Sequence, residues 1–202
     1  GPSLGEYLKH QQDKNKVVNL DTVLRLVAQV ADALDYAHSR GVIHRDIKPS
    51  NVLLKPLARP DREGDPELRA VVTDFGLAKA VEAENGQTVT GSFIGTPAYM
   101  SPEQCRGDRL DGRADIYSLG IVLYQIVTGQ LPFQVNSPAH AITMHLYEPP
   151  PAPTSIRPDL PASVVEVIEQ ALAKQPADRF RNATHMAACL RQVAGDLSAD
   201  PS

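Results

Sequence analysis

The stretch His44-Arg45-Asp46-Ile47-Lys48-Pro49-Ser50-Asn51 decides how the rest of this 202-residue chain reads. A carboxylate at Asp46, an ammonium two positions on at Lys48 and an amide five positions on at Asn51 converge on one turn. That set can orient a hydroxyl, neutralise a phosphoryl oxygen and hold Mg²⁺ through an amide oxygen. Further on, Asp74-Phe75-Gly76 puts a carboxylate at a predicted strand end, with a residue free to take unusual dihedrals beside it, which suits a ligand for a hard metal ion. Either motif alone reads as an ordinary polar turn, and for a lone Asp-Phe-Gly the plain reading wins. Together and in this order they stop being ordinary.

Working outward, the flanks predict a mainly helical domain with a few short strands. Leu4, Tyr7 and Leu8 make a short helical stripe. Val23, Val27, Val30, Leu34 and Ala37 share one face of a second helix, with Asp21 as its expected cap and Gly41 at its stop. Val42-Ile43, Val52 to Leu54 and Ala70 to Thr73 read as small strands around polar loops. Between the last two, residues 55–69 hold prolines and many charges and read as a solvent-exposed insertion. Arg113 to Thr128, closed by Gly129, is apolar nearly all round, so it belongs in the middle of a core. Pro149 to Pro153 reads as a stiff extended spacer. Val164, Val167, Ile168, Ala171 and Leu172 mark one amphipathic helix, and Ala183, Met186, Ala187, Leu190 and Val193 another. The fold class is α+β, mainly α, with its catalytic-looking groups in loops of the first half.

Composition sets the limits. With 42% hydrophobic and 22% charged residues and a formal net charge of −4, the chain describes one ordinary globular domain, neither collagen-like nor disordered. The mildly acidic balance argues against nucleic acid as a partner. The longest mostly apolar run, Ile116 to Val127, is too short to span a bilayer, and no secretory signal pattern opens the sequence. Gly1-Pro2-Ser3 reads equally as native sequence or as a cleavage scar. Two cysteines, Cys105 and Cys189, form no disulfide framework and read as packing residues in a reducing cytosol.

Read together, the two motifs resemble the catalytic loop and metal-binding motif of eukaryotic-type protein kinases. The resemblance continues through Gly95-Thr96-Pro97-Ala98-Tyr99-Met100-Ser101-Pro102-Glu103, which is similar to the end of a kinase activation segment, with Ser101 where the family often has Ala. It continues through Asp115-Ile116-Tyr117-Ser118-Leu119-Gly120, which is similar to the family's buried central helix, and Arg179 follows at the expected place. The Ser-Pro-Glu-Gln version and the Pro-rich stretch before Leu160 most resemble bacterial serine/threonine kinases.

The resemblance implies roles residue by residue. Residues 44–51 would be the catalytic loop and 74–103 the activation segment of a single domain over 1–202. Asp46 would accept or orient the substrate hydroxyl proton, and Lys48 would contact the γ-phosphate of ATP. Asn51 and Asp74 would bind Mg²⁺, and Leu53 would form part of the floor under adenine. Thr96 would hydrogen-bond Asp46 and Lys48. His44, Phe75 and Asp115 would belong to a stacked spine, with His44 structural rather than a base. Gly76 completes the metal motif, and Glu103 and Arg179 would form a buried ion pair. Thr88 or Thr90 would be phosphorylated on activation, with Ser92 a weaker candidate and Arg45 as the partner of the phosphate.

Two departures from the family pattern accompany these roles. Asn51 and Asp74 stand 23 positions apart, longer than usual because of the insertion. No Gly-rich G-x-G-x-x-G, no strand lysine of the V-A-I-K type and no partner glutamate helix is found, so the resemblance implies the large, C-terminal lobe without its N-terminal lobe. The expected function is a serine/threonine protein kinase acting on protein substrates, inactive as this segment alone, with the missing N-lobe as a partner. The alternatives are a non-catalytic lobe that docks partners and a small-molecule phosphotransferase. The expected place is the cytoplasm, free or as the cytosolic domain of a membrane-anchored kinase, with no membrane contact in this segment.

Overall fold

The computed structural model describes residues 1–13, 19–57, 68–75, 97–134 and 136–199. Its order is α1 (Leu4–Asp13), α2 (Leu20–Ser39), β1 (Val52–Pro56), β2 (Leu68–Val72), α3 (Pro102–Arg106), α4 (Arg113–Thr128), α5 (Pro138–Tyr147), α6 (Ala162–Ala171) and α7 (Ala183–Ala199), joined by loops and four short 3₁₀ turns.

Helix α4 is the centre because it has no polar side: twelve of its sixteen residues are buried, from Ala114 to Val127. Tyr117, Leu119, Ile121, Leu123 and Tyr124 are fully enclosed. Side chains of this size stabilise by about 1.5–3 kcal/mol each when buried, which makes α4 the anchor of the fold. At Gly120 a Cβ would stand 2.8 Å from the Cβ of Ala171, so the α4–α6 crossing requires glycine. Helix α2 packs against α7, and Arg191 and Asp32 pair across them.

The second helix spans the predicted stripe, but its cap differs. Asn19, not Asp21, accepts a hydrogen bond from the Thr22 amide at 3.4 Å. Asp21 lies inside the first turn and accepts from Arg25 Nε at 2.8 Å. At the other end Gly41 and Val42 donate their amides to the carbonyls of His38 and Ala37. That pattern closes a helix with Gly41 left-handed at φ 74°. It also corrects the expected strand at Val42-Ile43: the Val42 amide is consumed by the helix end, and these residues run as loop.

The other two expected strands pair antiparallel, Val52 opposite Val72 through Pro56 opposite Leu68. Lys55, Pro56, Leu68 and Arg69, expected within the insertion, therefore pair as the outer ends of the two strands; residues 58–67 lie outside the described residues. Gln29 of α2 secures the second strand by donating to the Leu68 carbonyl and accepting from the Ala70 amide at 2.8 Å. The expected spacer is extended only to Ala152; Pro153–Ser155 is a 3₁₀ turn. Gly1 to Ser3 are tied in: the Leu54 amide donates to the Pro2 carbonyl, and Ser3 and Glu6 cap α1 reciprocally.

Candidate active site

The loop between α2 and β1 hangs from the buried helix. Asp115, in the first turn of α4 and 1% exposed, accepts three hydrogen bonds. The amides of His44 and Arg45 reach its Oδ2 and Oδ1 at 2.8 Å each, and His38 Nε2 reaches Oδ2 at 2.7 Å. Arg45 is left-handed at φ 71°, a conformation that costs about 1–3 kcal/mol outside glycine. Both of its backbone groups are clamped: the amide by Asp115 and the carbonyl by Gln104 Nε2 of α3 at 2.7 Å. Two helices thus hold the strain that turns the next residue, Asp46, outward.

His44 uses both ring nitrogens structurally. Nε2 bonds the Thr73 carbonyl at 2.7 Å, so it carries the proton, and Nδ1 is left to accept from the Asp46 amide at 3.3 Å. Its ring also meets Phe75 edge-on, with centroids 4.8 Å apart. Thr73 in turn donates its amide to the Asn51 carbonyl at 2.9 Å. The two motifs of the sequence are therefore laced together through Thr73 and His44.

Asp46, Lys48 and Asn51 meet at one carboxylate oxygen. Lys48 Nζ lies 2.6 Å and Asn51 Nδ2 3.2 Å from Asp46 Oδ2, and Asn51 Nδ2 also donates to the Asp46 carbonyl at 2.8 Å. With its nitrogen committed, Asn51 presents Oδ1 as an acceptor. Asp74, exposed and left-handed at φ 63°, follows across the Thr73 bond. Asn51 Oδ1 and the Asp74 carboxylate are hard oxygen donors, and Mg²⁺ takes one or two such protein ligands with phosphate oxygens and water completing its shell. The donor chemistry fits that ion. Among the described residues no cluster of three or more His, Cys, Asp or Glu could hold a metal. Leu53 lies on the half-exposed side of β1, between the buried Val52 and Leu54.

Below this loop the chain from Pro97 to Arg106 is fixed by α4. The Tyr99 carbonyl accepts from Ser118 Oγ at 2.7 Å, and its hydroxyl bonds Gln125 at 2.8 Å. Ser101 and Gln104 form a reciprocal cap on α3, which gives the Ser at this position a use that Ala lacks. Glu103 and Arg179, each 4% exposed, pair in parallel at 2.7 and 2.9 Å. The other three N–H groups of Arg179 go to the carbonyls of Ala173, Arg113 and Lys174. Burial and the Glu103 charge push the Cys105 thiol up to about 11, which makes it an inert packing group.

Gly76, Thr88, Thr90, Ser92 and Thr96 lie outside the described residues, as does the rest of 76–96. Sequence reading missed His38, Gln104 and Ser118 as supports of the site. For Gln104 a signal existed, since Ser101-Pro102-Glu103-Gln104 is a capping-box pattern. For His38 and Ser118 the contact is long-range and leaves no local pattern.

Comparison with known proteins shows the family. The protein kinase domain family matches residues 2–190, and the chain belongs to that family. It is 44% identical over 171 residues to the serine/threonine-protein kinase Pkn1 of Myxococcus xanthus, covering 82% of this chain and 24% of that protein. With the serine/threonine-protein kinase PknF of Mycobacterium tuberculosis the identity is 42% over 173 residues, covering 86% and 35%. The crystal structure of the Mycobacterium tuberculosis PknI kinase domain superposes with a TM-score of 0.67 at 32% identity, over 95% of this chain and 62% of that one. The chain thus spans a quarter to a third of the curated relatives it matches. Its kinase-like fold is mostly helical, with a two-stranded sheet among the described residues. No described helix is long and apolar enough to cross a membrane.

Proposed function

We propose that this chain carries the phosphoryl-transfer loop of a bacterial-type serine/threonine protein kinase, acting from ATP on protein hydroxyls in the cytosol. The convergence of Asp46, Lys48 and Asn51 on one turn, 2.6–3.2 Å apart and braced from α4, is the observation that carries the reading. In this reading Asp46 takes the proton of the incoming hydroxyl and aims its oxygen. The Lys48 ammonium faces the charge on the transferred group. Asn51 Oδ1 and Asp74 hold Mg²⁺, which when bound neutralises phosphate oxygens and keeps them in line. Leu53 lies under the adenine, and Phe75 keeps Asp74 at the site through its contact with His44. The positioning costs little at the moment of reaction, because the loop is already fixed.

The segment would be the large lobe over residues 1–202, a reading supported by a sequence without a G-x-G-x-x-G or a V-A-I-K motif, the patterns that cover ATP and hold its α- and β-phosphates in the family. We infer that the 202 residues alone do not transfer phosphate, and that an N-lobe completes the site. Phosphorylation of Thr88 or Thr90 would order the segment through Arg45, and Thr96 would bond Asp46 and Lys48.

The test supplies the complete gene product with Mg·ATP and protein or small-molecule acceptors, beside its Asp46→Asn form. Transfer to protein serine or threonine that the variant loses supports the reading. Transfer only to small molecules, or none above the variant, overturns it. Residues 1–202 should match the Asp46→Asn background.

A further inference from the structure

A polar cavity of about 370 Å³ opens where α2, the start of α4 and the turn before α7 meet. That volume lies within the range of small-ligand sites, toward its lower end. Asp35 and His38 line it from α2, and Asp111, Arg113, Arg181 and Asn182 from the other two elements. Some of these groups are already committed. Arg113 and Asp111 neutralise each other, with Nε and Nη2 donating to Asp111 Oδ2 at 3.1 and 2.6 Å. Asn182 Oδ1 accepts from the His185 amide at 2.9 Å, and Asp35 Oδ1 accepts from the Thr184 amide at 3.2 Å, so the start of α7 is satisfied from within the chain. Three groups are left over. Asp35 keeps its second oxygen, Asn182 keeps its side-chain NH₂, and Arg181 enters no hydrogen bond or ion pair among the described residues. Arg181 alone offers five N–H donors.

The uncommitted groups are of both signs, and the two arginines of the wall are balanced by its two aspartates. A ligand of one sign would set its charge against one of them, whereas a ligand carrying both signs satisfies each. His38 gives the cavity a second property. Its side chain is 14% exposed, and its Nε2 lies 2.7 Å from Asp115 Oδ2, the oxygen that also accepts the His44 amide. The ring packs so close to Gly112 that a Cβ there would stand 2.4 Å from Nδ1. We propose that this cavity binds a small zwitterion of the amino-acid class, its carboxylate on Arg181 and its ammonium on Asp35, and that occupancy is passed through His38 and Asp115 to the 44–51 loop. A guanidinium grips a carboxylate with two parallel hydrogen bonds, which makes Arg181 the stronger anchor. The site goes beyond the kinase reading: Arg181, Asp35 and Asn182 have no part in phosphoryl transfer, and their binding can be measured whether or not Asp46 transfers phosphate.

The experiment titrates the complete gene product by calorimetry with a panel of neutral L-amino acids, and with acetate and methylammonium as the two halves of such a ligand. At least one amino acid should bind one to one with a Kd below about 10 mM, and each half should bind at least about tenfold more weakly. No binding by any amino acid, or acetate binding as tightly as the best of them, overturns the two-sign site. Arg181→Gln and Asp35→Asn each remove one charge, and the Asn oxygen can still accept from the Thr184 amide. Each variant should weaken the best amino acid by roughly tenfold or more; unchanged affinity in either overturns the placement. Arg181 is exposed, so its variant folds and decides the matter alone if Asp35→Asn does not. With histidine labelled by nitrogen-15, the His38 ring and the His44 amide should shift together along one titration curve while the His140 amide on α5 stays in place. A His44 amide that does not move with the ring overturns the link to the loop.

Discussion

Removing either member of the Glu103–Arg179 pair tests how α3 is tied to the helices behind it. All five N–H donors of Arg179 are used, two on Glu103 and three on backbone carbonyls, in a site where each residue is 4% exposed. Glu103→Gln keeps one acceptor oxygen but turns an amide NH₂ toward the guanidinium and leaves its charge uncompensated. Breaking a buried pair this way costs about 3–5 kcal/mol. Arg179→Met does more: it strands a buried carboxylate and also orphans the Ala173, Arg113 and Lys174 carbonyls, so its cost lies at or above the top of that range. A domain of this size has roughly 5–15 kcal/mol of stability to lose, and its Tm moves by about 2–4 °C per kcal/mol. The expected drop is therefore about 6–20 °C for Glu103→Gln, while Arg179→Met approaches unfolding at ambient temperature. Circular dichroism melts of both variants, with the double variant closing the cycle, give the coupling directly. Drops below about 3 °C in both single variants, as exposed pairs give, would refute the enclosed five-bond account.

Asp46→Asn in the complete gene product should lower transfer by about 10²–10⁴-fold with ATP binding retained, read by turnover and nucleotide titration; turnover near wild type would remove Asp46 from the mechanism. Gly112→Ala puts a Cβ 2.4 Å from His38 Nδ1 and should push that ring off Asp115, costing about 1–3 kcal/mol in melts; an unchanged Tm would mean that the ring has room to move. His145 titrates near 4 when folded against 6.5 when free, so the unfolded chain binds more protons between those values and stability falls as pH drops through that window. The loss is on the order of 3 kcal/mol, and denaturant titrations of wild type and His145→Gln at pH 7 and pH 4 should differ by about that much. Mass spectrometry of active protein should find phosphate on Thr88 or Thr90, and full activity of the double alanine variant would exclude that switch.

What could be read in the sequence was local or strongly periodic. The group from His44 to Asn51 is consecutive, so its chemistry is visible before any fold is known. Helix α4 is visible because an apolar surface on every side has one place to go. The misses have physical reasons. Val42-Ile43 looks like a strand by side chains, but a helix end had already claimed the Val42 amide. Asp21 is a good capping residue, yet Asn19 comes first and takes the position. Helix α5 escaped because its fully buried residues are Ala141 and His145, and a histidine in a core does not register in an apolar pattern. His38 reaches Asp115 across 77 positions of sequence, a distance over which no motif speaks.

The three hydrogen bonds to Asp115 also bear on how the protein should fail when heated. A surface loop usually melts ahead of the body that carries it, so its chemistry fades over a broad range below the global transition. Here the amides of His44 and Arg45 end on a carboxylate enclosed in the first turn of the central helix. Releasing them strands that carboxylate inside the core, a penalty comparable with opening the core itself. Loop and core should therefore give way in one cooperative step, and any phosphoryl transfer by the complete gene product should be lost along the melting curve of this domain rather than ahead of it.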